Sequence, residues 1–478
     1  MLATAARPVR VLLPGPPEVA IMPSLDRLIP VGYRGSMPSS GLQLKRIHYG
    51  VFILIGATLF NLSSHGLGRF AYAVILPSMR EGLALDYTQT GLLATANFLG
   101  YLVFSLIIGV FAGRLGLRRL ELIGLSLIAG SMAFTGLADS FLTAALGRTV
   151  TGVGSAIANV GTLGLAAAWF APSRRGVATG IIIGGSGLGI TLSGVLVPAL
   201  VAADGDAGWR QAWFALGGWV FLVVALAYLV VRERPSQMGL LPVGAAPPQT
   251  GPRRAETAVE ESQVQRPNWR LAYTSPDLWR CGVAYLAFGL AYVVAATFFA
   301  AYLTSEVGLT TIEAGRLWST AGFISIFSPA AMGAISDSIG RARGLAVAFL
   351  LMALSLTVFA TARSPQGAIV ATVLFGLSVW PIPALFAAMA SDLAGPQLAP
   401  AAIGFVTVLF GIGQTIGPGL GGYVADTTHS FAPALAASAL VAYAGAAFSL
   451  TLARRPAAPP SASPPGSSLA GRGEPLST

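Results

Sequence analysis

Charged side chains are scarce in this 478-residue sequence: 10% of residues carry a charge, against about 25% in an ordinary soluble domain. With 54% hydrophobic residues beside them, the composition implies lipid, not water, as the surrounding solvent. Cysteine occurs once, at Cys281, which excludes an intrachain disulfide and a cysteine metal cluster. Lysine also occurs once, at Lys45; every other basic residue is arginine, a bias that suggests a GC-rich bacterial genome. The 19 acids avoid the deep parts of the apolar runs, with Glu121 the nearest approach. No paired carboxylates, Ser/His/Asp set or metal cluster can be assembled, so no enzyme, cofactor or metal is expected. Gly184-Gly185-x-Gly187-x-Gly189 is glycine-rich, but no strand precedes it, so it does not read as a nucleotide loop.

What is present is a series of long apolar runs. About 20 apolar residues span a bilayer, and twelve runs qualify: 48–76, 88–112, 118–138, 141–169, 177–202, 211–231, 278–303, 313–336, 344–362, 366–390, 400–425 and 433–453. Residues 1–46 are proline-rich and lack a secretory h-region. They read either as a disordered cytoplasmic tail or, for 1–36, as sequence upstream of a true start at Met37. Residues 232–277 read as a cytoplasmic linker between two six-helix halves, 47–231 and 278–453, and 454–478 as a disordered C-tail. With both termini in the cytoplasm, 23 of the 29 basic residues fall on the cytoplasmic side and four on the other, the asymmetry that orients bacterial inner-membrane proteins. The net charge of +10 is therefore a topology signal, and a nucleic-acid partner is not expected. The fold class is an all-α membrane protein with twelve transmembrane helices in two pseudo-symmetric halves.

A repeat ties the halves together. Gly109-Val-Phe-Ala-Gly113-Arg114-Leu-Gly116-Leu-Arg118-Arg119 is echoed by Gly333-Ala-Ile-Ser-Asp337-Ser-Ile-Gly340-Arg341-Ala-Arg343. Each opens on Gly, repeats Gly seven residues on and closes on Arg. Two related apolar halves are the usual build of a secondary transporter. These segments resemble the loop signature of the major facilitator superfamily, roughly Gly-x-x-x-Asp-Arg-x-Gly-Arg-x-Arg/Lys. The second copy keeps the acid, Asp337, and has Ser338 where Arg is usual; the first has Gly113 in the acid's place. Gly413-x-x-x-Gly417-Pro418-x-x-Gly421-Gly422 matches a second superfamily pattern at every fixed position. It lies in helix eleven, not helix five where antiporters carry it, so antiport is not implied. Arg148-x-x-x-Gly152-x-Gly154 in helix four is similar to a motif whose Arg is linked to proton coupling. Gly66-Leu-Gly68-Arg69-Phe70-Ala71-Tyr72, with Gly91-Leu-Leu-Ala-Thr-Ala-Asn97-Phe-Leu-Gly100-Tyr101, resembles the YbfB/YjiJ-like branch. The resemblance implies conformational gating by Gly113, Arg114, Arg118, Asp337, Arg341, Arg343, Gly417 and Pro418, and a cavity lined by helices one, four, seven and ten.

Helix one carries Asn61, His65, Arg69 and Tyr72, which α-helical spacing gathers within about 80° of arc. Helix four carries Arg148, Ser155, Asn159 and Thr162, and helix two Asn97 and Tyr101. Arginine does not shed its proton in a protein, so Arg69 and Arg148 need counter-charges that no membrane acid supplies. A substrate anion is one source; snorkelling of Arg69 towards the outer face and carbonyl contacts to Arg148 are the other reading. Asn61, Tyr72, Asn97, Tyr101, Asn159 and Tyr292 are candidate substrate contacts. His65, the only histidine deep in a span, is the candidate proton carrier, with Arg148; a neutral structural histidine is the alternative. Tyr285, Phe288, Tyr292 and Phe299 share one face of helix seven. Trp380-Pro381-Ile-Pro383 should bend helix ten as a gate hinge or a static kink. These residues imply a monomeric secondary transporter working by alternating access on a small organic anion, by proton-linked symport or exchange. Efflux of amphipathic drugs and a non-transporting receptor are the alternatives.

Overall fold

The computed structural model describes residues 48–245 and 273–452. The N-tail 1–46, the middle of the linker and the C-tail from 454 lie outside these residues.

Among the described residues twelve long helices follow one another, joined by short turns except where the linker separates the sixth from the seventh. They are α1 Tyr49–Gly82, α2 Tyr87–Leu115, α3 Leu117–Gly136, α4 Phe141–Trp169, α5 Pro172–Asp204 and α6 Gly208–Val230. The second group is α7 Pro276–Ser305, α8 Thr311–Ile339, α9 Arg341–Thr361, α10 Pro365–Ala394, α11 Ala399–Thr428 and α12 Ala432–Leu450. Eleven are long and apolar enough to cross a membrane. The twelfth, α3, is 20 residues long and carries Arg118, Arg119 and Glu121 in its first turns. Large side chains such as Phe221 and Leu222 on α6 and Leu440 on α12 are more than 60% exposed, as expected of a lipid-facing rim.

Local chemistry sets the boundaries. Asp86, Ser140 and Thr310 cap α2, α4 and α8, each in a reciprocal capping box with the residue three positions on. Pro172, Pro276 and Pro365 sit at first helical positions, where a missing N–H costs nothing. Gly116 and Gly340 turn the chain between α2 and α3 and between α8 and α9, with φ of 78° and 95°. They are the glycines of the repeated motif, and an L side chain there would be strained. Helix α10 breaks at Val379–Trp380, into Pro365–Ser378 and Pro381–Ala394, as Pro381 and Pro383 dictate.

The linker begins as ordered structure. Val243 pairs with Phe170 in a parallel bridge and exchanges backbone hydrogen bonds with Trp169 and Ala171. Trp169 Nε1 donates to Arg232 O at 2.8 Å, and the His48 ring meets Leu241 O at 3.1 Å. Residues 232–245 are thus strapped to the ends of α1, α4 and α6. At its far boundary, α7 starts at Pro276, so 276–277 belong to the helix.

Helices α1–α6 and α7–α12 pack chiefly within their own groups, and two helix pairs dominate the contacts between groups, α2 with α11 and α5 with α8. These pairs are interchanged by exchanging the halves, as a pseudo-two-fold relation requires. In lipid, helix association rests on close packing more than on hydrophobic burial, and small residues make it possible. A Cβ on Gly91 of α2 would strike Pro418 O of α11, and one on Gly194 of α5 would strike Gly315 O of α8. These crossings lie towards the end of the bundle opposite His48 and Leu452, called the far end here; the other is the tail end. Near the tail end of the same four helices, Gly109, Gly113, Gly176, Gly180, Gly333 and Gly404 have nothing within 4 Å of an added Cβ. The pairs are closed at the far end and splayed at the tail end.

Candidate functional site

The site is organised by a break in regular helix geometry. Residues Leu62–Phe70 of α1 form a π-helix, a wider coil than the 3.6-residue spacing of the sequence reading. Gly66 permits it to press on α5, where a Cβ would meet Gly189 Cα at 2.6 Å. π-Segments are rare and concentrate at functional sites. Here the coil leaves carbonyls for α4 to satisfy: Arg148 Nη1 donates to Gly68 O at 2.8 Å and Nη2 to Arg69 O at 3.4 Å, while Ser155 Oγ donates to Ser64 O at 3.1 Å. Arg148 is 1% exposed and lies over the rings of Tyr72 and Trp213 at 4.8 and 5.3 Å.

The glycines of Arg148-x-x-x-Gly152-x-Gly154 have a packing reason. A Cβ on Gly152 would strike Asn97 O of α2, and one on Gly154 would meet Gly124 O of α3 at 2.7 Å. They let α4 cross both neighbours closely enough for Arg148 to reach α1.

Arg69 is different. It is buried, its guanidinium lying 4.2 Å from the Tyr101 ring centroid and 4.9 Å from that of Phe98. Its Nε and Nη2 have no hydrogen-bond partner, and no ion pair among the described residues reaches it. A cation deep in a membrane costs about 2.5–3.5 kcal/mol even on insertion scales. Each ring returns about 0.5–2 kcal/mol, which offsets part of the charge cost and leaves two donors unmet. A small cavity opens beside it, with room for about one water molecule, lined by Arg69, Tyr72, Phe98 and Arg148 and, from α7, Ala296 and Thr297. Tyr292 of α7 lies within electrostatic reach of Arg69.

Around Arg69, half-buried His65 meets Ser64 Oγ through Nδ1 at 3.1 Å and sets its ring edge-on to Tyr101 at 5.9 Å. Asn159 Nδ2 donates to the Tyr101 hydroxyl at 3.0 Å. These residues come together as one cluster. The other predicted contacts are engaged in packing. Asn61 Nδ2 donates to Ile182 O at 2.8 Å, Tyr72 OH to Thr90 O at 2.8 Å, and Asn97 Nδ2 to Arg148 O at 3.0 Å. Tyr292 OH donates to Gln414 Oε1 at 3.1 Å, joining α7 to α11.

The predicted gating residues divide. Arg341 pairs with Asp337 at 2.5 Å and, through Nε, with Asp392 at 3.5 Å, joining α8, α9 and α10. Arg118 donates to Tyr228 O at 2.7 Å, tying α3 to α6. Gly113, Arg114 and Arg343 are exposed at the splayed tail end. Gly417 packs on Leu290 and Val293 of α7, and Pro418 carries the carbonyl that meets Gly91.

Two acids play parts that the sequence reading did not assign, Glu121, noted there only as the nearest approach to a span, and Asp426. Glu121 is fully buried and accepts from Thr162 Oγ1 at 3.0 Å; it lies one turn inside α3, where α4 covers it. Asp426, at the last turn of α11, accepts from Tyr87 N at 2.9 Å, Thr88 N at 2.7 Å and Thr88 Oγ1 at 2.6 Å. A carboxylate from the second half thereby caps the N-terminus of α2 in the first. Nearby, Tyr87 sets its ring edge to Phe431 at 4.7 Å, with Arg80 over its face at 4.1 Å. Glu306 gathers Arg363, Ser430 Oγ and Phe431 N at the same end. The signal for Asp426 was its place beside the Gly417-Pro418 motif, though sequence alone does not pair it with a residue 339 positions away.

Comparison with known proteins places this geometry. A family model described as "Uncharacterised MFS-type transporter YbfB" matches residues 61–450. A hexuronate transporter of Bacillus subtilis is 23% identical over 80% of this chain and 90% of its own. A probable sulfoacetate transporter of Cupriavidus necator is 26% identical over 76% and 85%. Among solved structures, a bacterial homologue of the human lysosomal transporter Spinster, in an inward-facing unoccupied conformation, superposes with a TM-score of 0.68. It is 17% identical and covers 84% of this chain and 97% of that one.

Proposed function

The chain belongs to the YbfB-type family of the major facilitator superfamily, and we propose that within it the protein carries a small organic anion across the bacterial inner membrane by alternating access. The observation that carries this reading is Arg69: a buried cation, flanked by two rings, with unmet donors and no acid among the described residues to pair with it. A carboxylate supplies both the charge and the two acceptors, in the bidentate geometry that guanidinium favours. The anionic substrates named for the hexuronate and sulfoacetate relatives support the same reading.

In this proposal Tyr101 and Asn159 hold the Arg69 plane, and Arg148 holds the π-segment that presents it. His65, one π-turn before Arg69, is the proton carrier of a symport step. The splayed tail end faces the cytoplasm, in keeping with the excess of basic residues there, and rocking about the two crossing pairs exposes the site to either side.

Ligand-induced thermal stabilisation of the purified full chain tests the role of Arg69. At 100 times its dissociation constant a ligand stabilises by about 2.7 kcal/mol. Carboxylates should raise the melting temperature of the wild type and lose that effect in Arg69→Ala. Equal stabilisation of both proteins would remove Arg69 from the binding site. Stabilisation by amphipathic cations alone would replace the anion reading with drug efflux.

A further inference from the structure

The wall facing Arg69 across the two halves is unlike the wall that holds it. Tyr285, Phe288 and Tyr292 of α7 and Phe410 of α11 lie nearly parallel. Tyr285 and Phe410 are 4.5 Å apart at 14°, Phe288 and Tyr292 4.7 Å at 9°, and Tyr292 and Phe410 6.0 Å at 16°. Phe386 of α10 extends the layer, stacked on Tyr285 at 4.4 Å and 22°. Aromatic cores more often mix edge-to-face and offset pairs, and the rings around Phe359 elsewhere in this half do so. The parallel rings cover one another's faces as a stack, which forms this apolar wall. Phe410 is only half-buried, so the wall is not sealed within the helix packing.

The wall belongs to the Arg69 site. Tyr292 lies within electrostatic reach of both Arg69 and Tyr101, and Tyr285 within reach of Tyr101. Ala296, one turn beyond Tyr292, lines the cavity that Arg69 borders. It offers little to a polar ligand, because the Tyr292 hydroxyl already donates to Gln414. Arg148 borders the same cavity, but both its Nη atoms are committed to backbone carbonyls, so among the described residues Arg69 is the cation there with a free Nη. One guanidinium with open donors therefore lies beside one stack of aromatic rings.

We propose that the transported anion is a monocarboxylate with a flat apolar body, an aryl or conjugated carboxylate. Its carboxylate meets Arg69 and its flat body extends the stack of Tyr285, Phe288, Tyr292 and Phe410 at the half-buried Phe410. Sugar acids are disfavoured because their hydroxyls would lose water against rings, and dicarboxylates because their second charge would find no partner. This rests on the organic-anion reading above and narrows it beyond the hydroxylated and sulfonated substrates named for the relatives.

Benzoate, cyclohexanecarboxylate, galacturonate and tartrate, titrated against the full chain in detergent by calorimetry, test it. Benzoate should bind most tightly, with galacturonate about a hundredfold weaker. Phe410→Leu, which keeps an apolar side chain at a half-buried position, should weaken benzoate about three- to tenfold and leave acetate unchanged. Galacturonate or tartrate binding as tightly as benzoate would overturn the aryl class and leave the organic-anion reading intact. Binding of no carboxylate at all would overturn that reading itself. A Phe410→Leu protein that melts like wild type and binds benzoate equally well would remove the ring layer from the site.

Discussion

Asp426 gives the sharpest quantitative test of the closed far end. Its carboxylate accepts three hydrogen bonds from the first turn of α2, and these exist only while α2 and α11 touch there. Asp426→Asn keeps the size but removes the charge and turns an amide donor towards the N–H groups of α2, so the three bonds are forfeited together. Net values for single hydrogen bonds are about 0.5–1.5 kcal/mol, and capping a helix N-terminus with an anion adds about 0.3–1 kcal/mol. Asp426 is partly exposed, so the low end of each range applies, for a total of about 2 kcal/mol. That is about a 30-fold change in the ratio of closed to open far ends, since 1.4 kcal/mol is tenfold. A far end open in about 1% of molecules would then be open in about a quarter. Spin labels on Glu81→Cys and Ile312→Cys, exposed at that end of either half, would report it. The native Cys281 is fully buried, so background labelling should be low. The substitution should add a longer component to the distance distribution, and Thr88→Val, which removes one donor, a smaller one. An unchanged distribution in Asp426→Asn would show that the cap does not govern closure.

Two further outcomes follow from the site. Arg148→Met should lower stability by about 2–6 kcal/mol, because it strips the Gly68 and Arg69 carbonyls of their donors inside the membrane, at about 1–3 kcal/mol each. Its melting loss should exceed that of Arg69→Ala, and the reverse order would mean that Arg148 does not hold the π-segment. His65→Gln should flatten the dependence of substrate flux in proteoliposomes over about pH 5 to 8, where an imidazole ordinarily changes charge. A retained pH profile would move the proton step to another group.

Most of the architecture could be read from residues acting locally. Apolar length gave the spans, Asp86, Ser140 and Thr310 capped where their chemistry predicts, and Gly116 and Gly340 turned the chain where the repeated motif put them. The site was harder to read because its determinants are not local. An α-helical wheel placed Asn61 with His65 and Arg69, whereas the π-coil between 62 and 70 changes the angle per residue and Asn61 turns to Ile182 on α5. The stripe on α4 is polar, as its sequence implies, yet its residues serve three different partners: Arg148 and Ser155 the π-segment, Asn159 the Tyr101 hydroxyl, and Thr162 the Glu121 carboxylate. Both readings of Arg148 were open in the sequence, and only its distances to Gly68 O and Arg69 O favour the carbonyl one. Glu121 looked peripheral because it is early in α3, but α4 buries it through Gly161, which leaves no side chain between them.

The tail-end glycines carry information about a shape not on display. Gly91 and Gly194 are accounted for by what they touch. Gly109, Gly113, Gly176, Gly180, Gly333 and Gly404 touch nothing, yet each lowers helix stability by about 0.5–1 kcal/mol relative to alanine. Under alternating access the discrepancy has a simple source: these positions are the negative imprint of the opposite conformer. On that reading they would mark, residue by residue, where α2 meets α11 and α5 meets α8 with the tail end shut. Unused space along four helices would then be a map of the other extreme of the proposed cycle.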